Sequence, residues 1–216
     1  MQIIAFDIDG VLLNSISTYV ITTKLTLNQH GIKEIPEEEY QNFSMCSYIT
    51  WIDDTLKYVS DNYGANIPNK NEFQSAHLNN IMKSDPSNYK LFDGLEEVAK
   101  TFIENGYKTC IISNMLDEHF NRIVKPLLSN IEFDFLCLKE DNIQKPNPKF
   151  LDKVLEYFQC NSSDITYIGD LYEDYEFAKS TGMNFIFATW GYDNNRLINV
   201  EGVTRANSPK DLLNLV

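Results

Sequence analysis

The chain has 216 residues, with 18 Lys and Arg set against 31 Asp and Glu, a formal net charge of −13. That length can bury a full core and suits one large domain, or one domain carrying a smaller insert. So acidic a chain disfavours nucleic acid and anionic membrane surfaces as partners, because both need clustered Lys and Arg, and a phosphate-ester substrate would require local positive charge from a metal or a few placed lysines.

The first predicted element is a strand. Ile3 to Ile8 are apolar apart from Asp7, as expected of a strand buried on both faces of a parallel sheet. In DIDG, Asp7 and Asp9 place two carboxylates at the end of that run; side chains two apart on a strand share a face, and Gly10 permits the turn that follows. One carboxylate could attack while its neighbour handles protons, provided a cation relieves their repulsion. Asp-Gly is also a common turn pair, so the fragment alone is equally readable as an ordinary strand end.

From Ser15 to Asn88 the texture is helical. TYVITTKLTLNQH and TWIDDTLKYVSDNYG are amphipathic, and Pro36 followed by Glu37, Glu38 and Glu39 has the form of a helix start. Tyr19, Trp51, Tyr58 and Phe73 are read as the small core of this insert. Its five lysines, absence of arginine and nine acids make no basic patch that would point to a second anionic group on a substrate. His30, His77 and His119 form no cluster and are read as structural or solvated.

After Asp85-Pro86, helix and strand alternate. Gly94 to Asn105 reads as a helix closed by Gly106, YKTCIISN as a strand, and Asp117 to Leu128 as a helix with Pro126 near its end. IEFDFLCL, DITYIGD and MNFIFATW read as strands, separated by the helices NPKFLDKVLEYFQ and LYEDYEFAKSTG; SPKDLLNLV is a final capped helix. Such alternation predicts an α/β fold with a parallel sheet covered on both faces and active groups outside the carboxyl ends of the strands. Asp7 and Asp9, Ser113 and Asn114, and Gly169 and Asp170 each fall at such an end, and could converge on one crevice.

Together these residues could serve displacement at phosphorus, which needs an in-line nucleophile, neutralised phosphoryl oxygens and a proton for the leaving group. Asp7 could attack, Asp9 could act as acid and base, Ser113 could hold a phosphoryl oxygen, Lys145 in QKPNPKF could bring positive charge, and Asp170 and Asp174 could complete an oxygen shell for Mg²⁺. Each has a bland alternative: Ser113-Asn114 as a strand-end turn, Lys145 as a solvated loop lysine, and Glu173, Asp174 and Glu176 as acids favoured at a helix start. Cys46, Cys110, Cys137 and Cys160 show no metal-ligand spacing and read as reduced thiols. No run reaches transmembrane length and the amino terminus enters a core strand at once, so a cytoplasmic location is expected.

Taken in order, DIDGVL, IISN, KPNP and GDLYED resemble the four motifs of the haloacid dehalogenase-like (HAD) phosphohydrolase superfamily, and LFDGLEEVAKTFIENGYKTCIISN and WGYD are similar to its phosphoglycolate phosphatase-like branch. The resemblance implies a doubly wound, Rossmannoid α/β core at 1–14 and 89–216, with a helical type-1 cap at 15–88. It implies Asp7 as nucleophile and metal ligand, and Asp9 as general acid/base whose backbone carbonyl also binds metal. Ser113 and Asn114 become phosphate binders, Lys145 the charge-stabilising lysine that also meets the phosphate, Asp170 a direct Mg²⁺ ligand, and Asp174 an acid that ligates or orients the metal's water shell. Asn14-Ser15 stands where the branch often has Asp-Ser, a change that concerns the cap hinge more than the chemistry, and Leu171 replaces a small hydroxyl residue, which could alter a hydrogen bond around the metal site without removing a metal ligand. The implied activity is a Mg²⁺-dependent phosphatase acting on a small phosphorylated metabolite through an aspartyl-phosphate, as monomer or homodimer. A phosphomutase or phosphonate hydrolase on the same scaffold and a non-catalytic binding domain are the alternatives.

Overall fold

The computed structural model describes residues 2–33, 35–40, 51–140, 143–193 and 196–216. Cys46 lies outside them. The chain divides into two compact units, one of Met1–Asn14 with Lys90–Val216 and the other of Ser15–Tyr89. Among the described residues, no helix is long and apolar enough to cross a membrane.

In the first unit six strands run parallel: β1 (Ile3–Phe6), β4 (Lys108–Leu116), β5 (Phe135–Lys139), β6 (Ile165–Gly169), β7 (Asn184–Ala188) and β8 (Thr204–Ala206). Their spatial order is β5-β4-β1-β6-β7-β8. The chain thus winds one way from β1 and then the other, and the order reverses between β1 and β6. A crevice opens outside the carboxyl ends of strands at such a reversal.

The predicted double burial of β1 is found, with Ile3, Ile4, Ala5 and Phe6 all at 0% exposure. Ile3 and Ala5 join a core with Phe150, Val154, Phe158 and Phe177, contributed largely by α6 (Asp152–Phe158) and α7 (Tyr172–Thr181). Phe6 meets the rings of Phe102 and Phe133 at centroid distances of 6.4 and 5.8 Å. Phe102 belongs to α4 (Leu95–Glu104), where Leu95, Val98, Ala99 and Phe102 recur at helical spacing and are buried. Gly94 opens that helix at φ 86° and Gly106 follows it at φ 83°, conformations that side chains with a Cβ disfavour.

Some local outcomes depart from the expected elements. The predicted helix after β4, α5, is composite: α-helical at Asp117–His119, π-helical at Phe120–Val124 and α-helical again at Lys125–Leu127. Pro126 has no N–H for the preceding turn, and the wide turn lies directly before it. A two-stranded ribbon, β2 (Leu13–Asn14) against β3 (Lys90–Leu91), and the edge strand β8 were not anticipated, being too short to show a period.

Among its described residues the second unit contains α1 (Ile16–Gln29), α2 (Trp51–Tyr63) and α3 (Lys70–Met82), with a 3₁₀ turn at Glu37–Glu39 that passes into helical backbone at Tyr40. Trp51 and Phe73 are buried with Leu27, Ile35, Tyr40 and Val59, and Tyr58 packs at the margin; Tyr19 is half-buried outside that cluster. The polarity of α1 runs against its expected amphipathicity. Thr18, Thr22, Thr23 and Thr26 are buried, whereas Ile21 and Leu25 are 45% and 47% exposed. Two of these threonines can be buried because their hydroxyls donate one turn back, Thr22 Oγ1 to the Thr18 carbonyl at 2.9 Å and Thr26 Oγ1 to the Thr22 carbonyl at 2.7 Å. His77 lies 3.2 Å from Thr26 Oγ1 through Nδ1 and stacks on Trp51 at 3.9 Å.

Candidate active site

β1 ends at Phe6, so Asp7 and Asp9 lie beyond the strand, and strand alternation is not what orients them. The Asp7 N–H still donates to the Ile168 carbonyl at 3.0 Å, which carries the backbone one residue further beside β6. The chain then folds tightly on the Ile8 carbonyl, which accepts from the N–H groups of Val11, Leu12 and Leu13 at 3.2, 2.9 and 2.8 Å. Gly10, at φ 78°, is required there twice over: by its backbone conformation, and because a Cβ would stand 2.0 Å from Asp170 Oδ2. Asp9 is half-buried within this turn and bridges to Leu13.

Asp170 and Asp174 arrive from β6 and α7. Oxygens of Asp7, Asp170 and Asp174 lie within 4.8 Å of one another, forming a buried carboxylate cluster across the switch between β1 and β6. The carboxylate of Asp9 is not among its members. Glycine also walls the cluster at Gly191, whose Cβ would lie 2.3 Å from Asp170 Cβ, and at Gly169, whose Cβ would lie 2.5 Å from Asp174 Cβ.

Lys145 enters from the loop after β5 and is 4% exposed. Its ammonium donates to Asp7 Oδ2 at 2.9 Å, to Asp174 Oδ1 at 2.7 Å and to the Tyr167 hydroxyl at 2.6 Å. Asn114 clamps the main chain of the same residue: its Oδ1 accepts from the Lys145 N–H at 2.7 Å and its Nδ2 donates to the Lys145 carbonyl at 3.1 Å. That leaves Asn114 one amide N–H for any other partner. Ser113 is buried and accepts from the Met115 N–H at 3.3 Å, at the start of a stretch where the pairing of β4 with β5 shifts register.

The carboxylates are used unequally. Asp174 Oδ1 accepts from Lys145 and from Tyr167, the latter at 3.0 Å, while its Oδ2 accepts from the N–H groups of Asp170 and Leu171 at 3.2 and 3.1 Å. It holds its neighbours in place with both oxygens. Asp170 Oδ2 accepts from the Tyr192 N–H at 2.7 Å, but Oδ1 is buried with no hydrogen-bond partner among the described residues. An orphaned carboxylate oxygen is costly unless something else takes it up.

Burial pushes the Asp7 carboxyl up to about 7 against the opposing pull of Lys145, with Asp174 adding to the rise. Burial likewise raises Asp170 well above the carboxylate range, helped by Asp174 and Asp7. Burial works against the charged Lys145, yet the negative Asp174 and Asp7 outweigh it and keep the ammonium protonated. With all three carboxylates ionised, one ammonium would leave two negative charges in a buried space; a divalent cation would neutralise them and favour the ionised forms that burial opposes. An all-oxygen donor set with one free carboxylate oxygen suits a hard cation of the Mg²⁺ kind, and Asp7 and Asp170 are the carboxylates with capacity for it.

Tyr167, Trp190 and Tyr192 were not singled out by chemistry in the sequence. Trp190 Nε1 donates to the Val11 carbonyl at 3.1 Å and the Tyr192 hydroxyl to the Leu13 carbonyl at 3.2 Å, while the Tyr192 N–H secures Asp170. One segment therefore ties the turn after β1 to the carboxylate after β6. The available signal for Tyr167 was a phenol hydroxyl on the strand face it shares with Ile165 and Gly169, which when buried must find a partner.

The sequence profile of the family described as "Haloacid dehalogenase-like hydrolase" matches residues 4–188. Among curated proteins, the phosphoglycolate phosphatase of Aquifex aeolicus is 26% identical over 200 residues, covering 89% of this chain and 86% of its own length. The pyrophosphatase PpaX of Anoxybacillus flavithermus is 22% identical, covering 87% of this chain and 83% of its own. A haloacid dehalogenase-like family hydrolase from Streptococcus pneumoniae superposes with a TM-score of 0.80 at 16% identity, over 100% of this chain and 98% of that one. A predicted phosphoglycolate phosphatase from Haemophilus somnus gives 0.77 at 17% identity, over 100% and 97%. Both structural likenesses speak to the fold, a Rossmannoid α/β core.

Proposed function

We propose that this chain, which belongs to the haloacid dehalogenase-like hydrolase family, is a Mg²⁺-dependent phosphatase that hydrolyses a small phosphorylated metabolite through an aspartyl-phosphate. The observation that carries the reading is the contact of Lys145 Nζ with Asp7 Oδ2 at 2.9 Å, beside the unpartnered Asp170 Oδ1 at the switch between β1 and β6. A buried carboxylate beside a lysine is set up as a nucleophile facing an anionic group: the ammonium holds the carboxylate through an N–H and attracts the phosphoryl oxygens through its charge.

In this reading Asp7 attacks phosphorus as the bond to the leaving oxygen breaks, and Asp9 gives that oxygen its proton. Asp9, now a carboxylate, takes a proton from water as the water attacks the aspartyl-phosphate; inorganic phosphate leaves and Asp7 is restored. Ser113 binds a phosphoryl oxygen through its hydroxyl, and Asn114 does so through its spare N–H while fixing the Lys145 main chain. Asp7, Asp170 and the backbone carbonyl of Asp9 would hold Mg²⁺, with Asp174 orienting the groups around it. The cation, when bound, supplies charge neutralisation between the nucleophile and the phosphoryl oxygens. The Ser15–Tyr89 unit serves as the cap that screens the leaving group.

The resemblance to phosphoglycolate phosphatases makes phosphoglycolate the first substrate to test, with pyrophosphate, sugar phosphates and nucleotides beside it. Hydrolysis of a generic aryl phosphate by the wild type, dependent on Mg²⁺ and lost in Asp7→Asn, is the expected result. A wild type inactive across a series of divalent metals and these substrates would overturn the reading.

A further inference from the structure

We infer that Tyr167 is a positioning residue for the reaction, acting through Lys145; the inference rests on the phosphatase reading above. An ammonium has three N–H donors, and those of Lys145 are taken by Asp7 Oδ2 at 2.9 Å, Asp174 Oδ1 at 2.7 Å and the Tyr167 hydroxyl at 2.6 Å. Two of these acceptors are anions. With only two anions as partners the ammonium could settle toward either, and toward Asp174 it would leave the nucleophile. A neutral hydroxyl as third partner fixes the position of Nζ without neutralising its charge.

Tyr167 is itself held on all sides. It is fully buried, and its hydroxyl proton has two acceptors, Asp174 Oδ1 at 3.0 Å and the Ile112 carbonyl at 3.2 Å. Its ring meets Phe177 edge-on at 6.1 Å and Phe185 at 6.3 Å. It sits on β6, two residues before Gly169 and in register with Ala5 of β1, so it is anchored in the rigid centre of the sheet. A loop lysine is thereby referenced to that sheet at the backbone by Asn114 and at the tip by Tyr167.

The test is Tyr167→Phe, which removes one oxygen and keeps the ring packing. Charge-assisted hydrogen bonds of this kind are worth about a tenfold change in rate when they act on the transition state. The expected result is a kcat lower by about tenfold with KM within about twofold. Calorimetric binding of vanadate, which mimics the trigonal transition state, should weaken by a similar factor, while binding of inorganic phosphate stays unchanged. In a Lys145→Ala background the same substitution should add no further loss, since there is no ammonium left to position. Unchanged kcat in Tyr167→Phe, an equal loss in both backgrounds, or a change confined to KM would each overturn the inference. The ¹H–¹⁵N signal of the Lys145 ammonium gives a readout that needs no turnover: it should shift and broaden in Tyr167→Phe, and an unchanged signal overturns the positioning role even if the wild type proves inactive.

Discussion

Lys145 and Asp7 meet at 2.9 Å although β4 lies between the strands they follow, the lysine coming from the loop after β5 and the carboxylate from the end of β1. Both are almost wholly buried, so their attraction is weakly screened, and each favours the charged form of the other against the burial that opposes it. The pair gives the cluster its polarity: the lysine side is satisfied, and the Asp170 side has an unpartnered oxygen.

Asp7→Asn should abolish turnover, with a fall of more than about 10³-fold, because the amide removes the attacking oxygen's charge. Asp9→Asn should lower kcat by about 10²- to 10⁴-fold through loss of proton transfer, with Mg²⁺ affinity largely kept because the backbone carbonyl remains. Steady-state kinetics with calorimetric Mg²⁺ titration checks both. Strongly weakened metal binding in Asp9→Asn would contradict the assignment.

Mg²⁺ bound at the proposed site should stabilise the fold, because that site exists only in the folded state. At a hundredfold excess over its dissociation constant the gain is about 2.7 kcal/mol, seen as a rise in Tm with metal concentration. Asp170→Asn should remove that rise by replacing a charged ligand with a neutral amide. A rise that persists in this variant would place the metal elsewhere.

Gly10→Ala should disturb the site more than its size suggests. The added Cβ would stand 2.0 Å from Asp170 Oδ2 at a φ of 78°, so either the turn or the carboxylate must move. The backbone conformation alone costs about 1–2 kcal/mol for a residue with a Cβ. Denaturant unfolding should show at least that loss, and Mg²⁺ affinity should fall with it; normal affinity would mean that the turn yields and the carboxylate does not.

His77 should make the Ser15–Tyr89 unit sensitive to acid. Burial lowers its pKa from 6.5 to about 4, so the folded state holds it neutral while the unfolded chain protonates it near 6.5. Stability should therefore be level above about pH 6.5 and fall as pH drops from there toward about 4, by up to about 3 kcal/mol. His77→Gln should flatten that part of the profile. Urea unfolding followed by tryptophan fluorescence measures it, helped by Trp51 stacking on the imidazole.

Much of the core was legible because its signals are local. The double burial of β1 showed as an unbroken apolar run, α4 as apolar residues at i, i+3, i+4 and i+7, and the end of α7 as Gly182, which adopts φ 77°. The inward face of α1 was not legible because threonine scores as polar until its hydroxyl is returned to the helix's own carbonyls. β2, β3 and β8 were missed because two or three residues cannot display alternation.

By itself the sequence determined the alternation of strands and helices, the acids and the lysine at strand ends, and, through four motifs in order, the family. Only the tertiary structure decided how those groups divide the work: that Asp174 spends both oxygens holding Lys145, Tyr167 and two backbone N–H groups, that Asp170 keeps one oxygen without a partner, and that Gly10 and Gly191 make room for its side chain. The reason is one of range. Periodicity and capping act over a few residues, whereas the meeting of residues 10, 145, 167, 170 and 191 depends on strand order and on hydrogen-bond valences filled only when all are brought together.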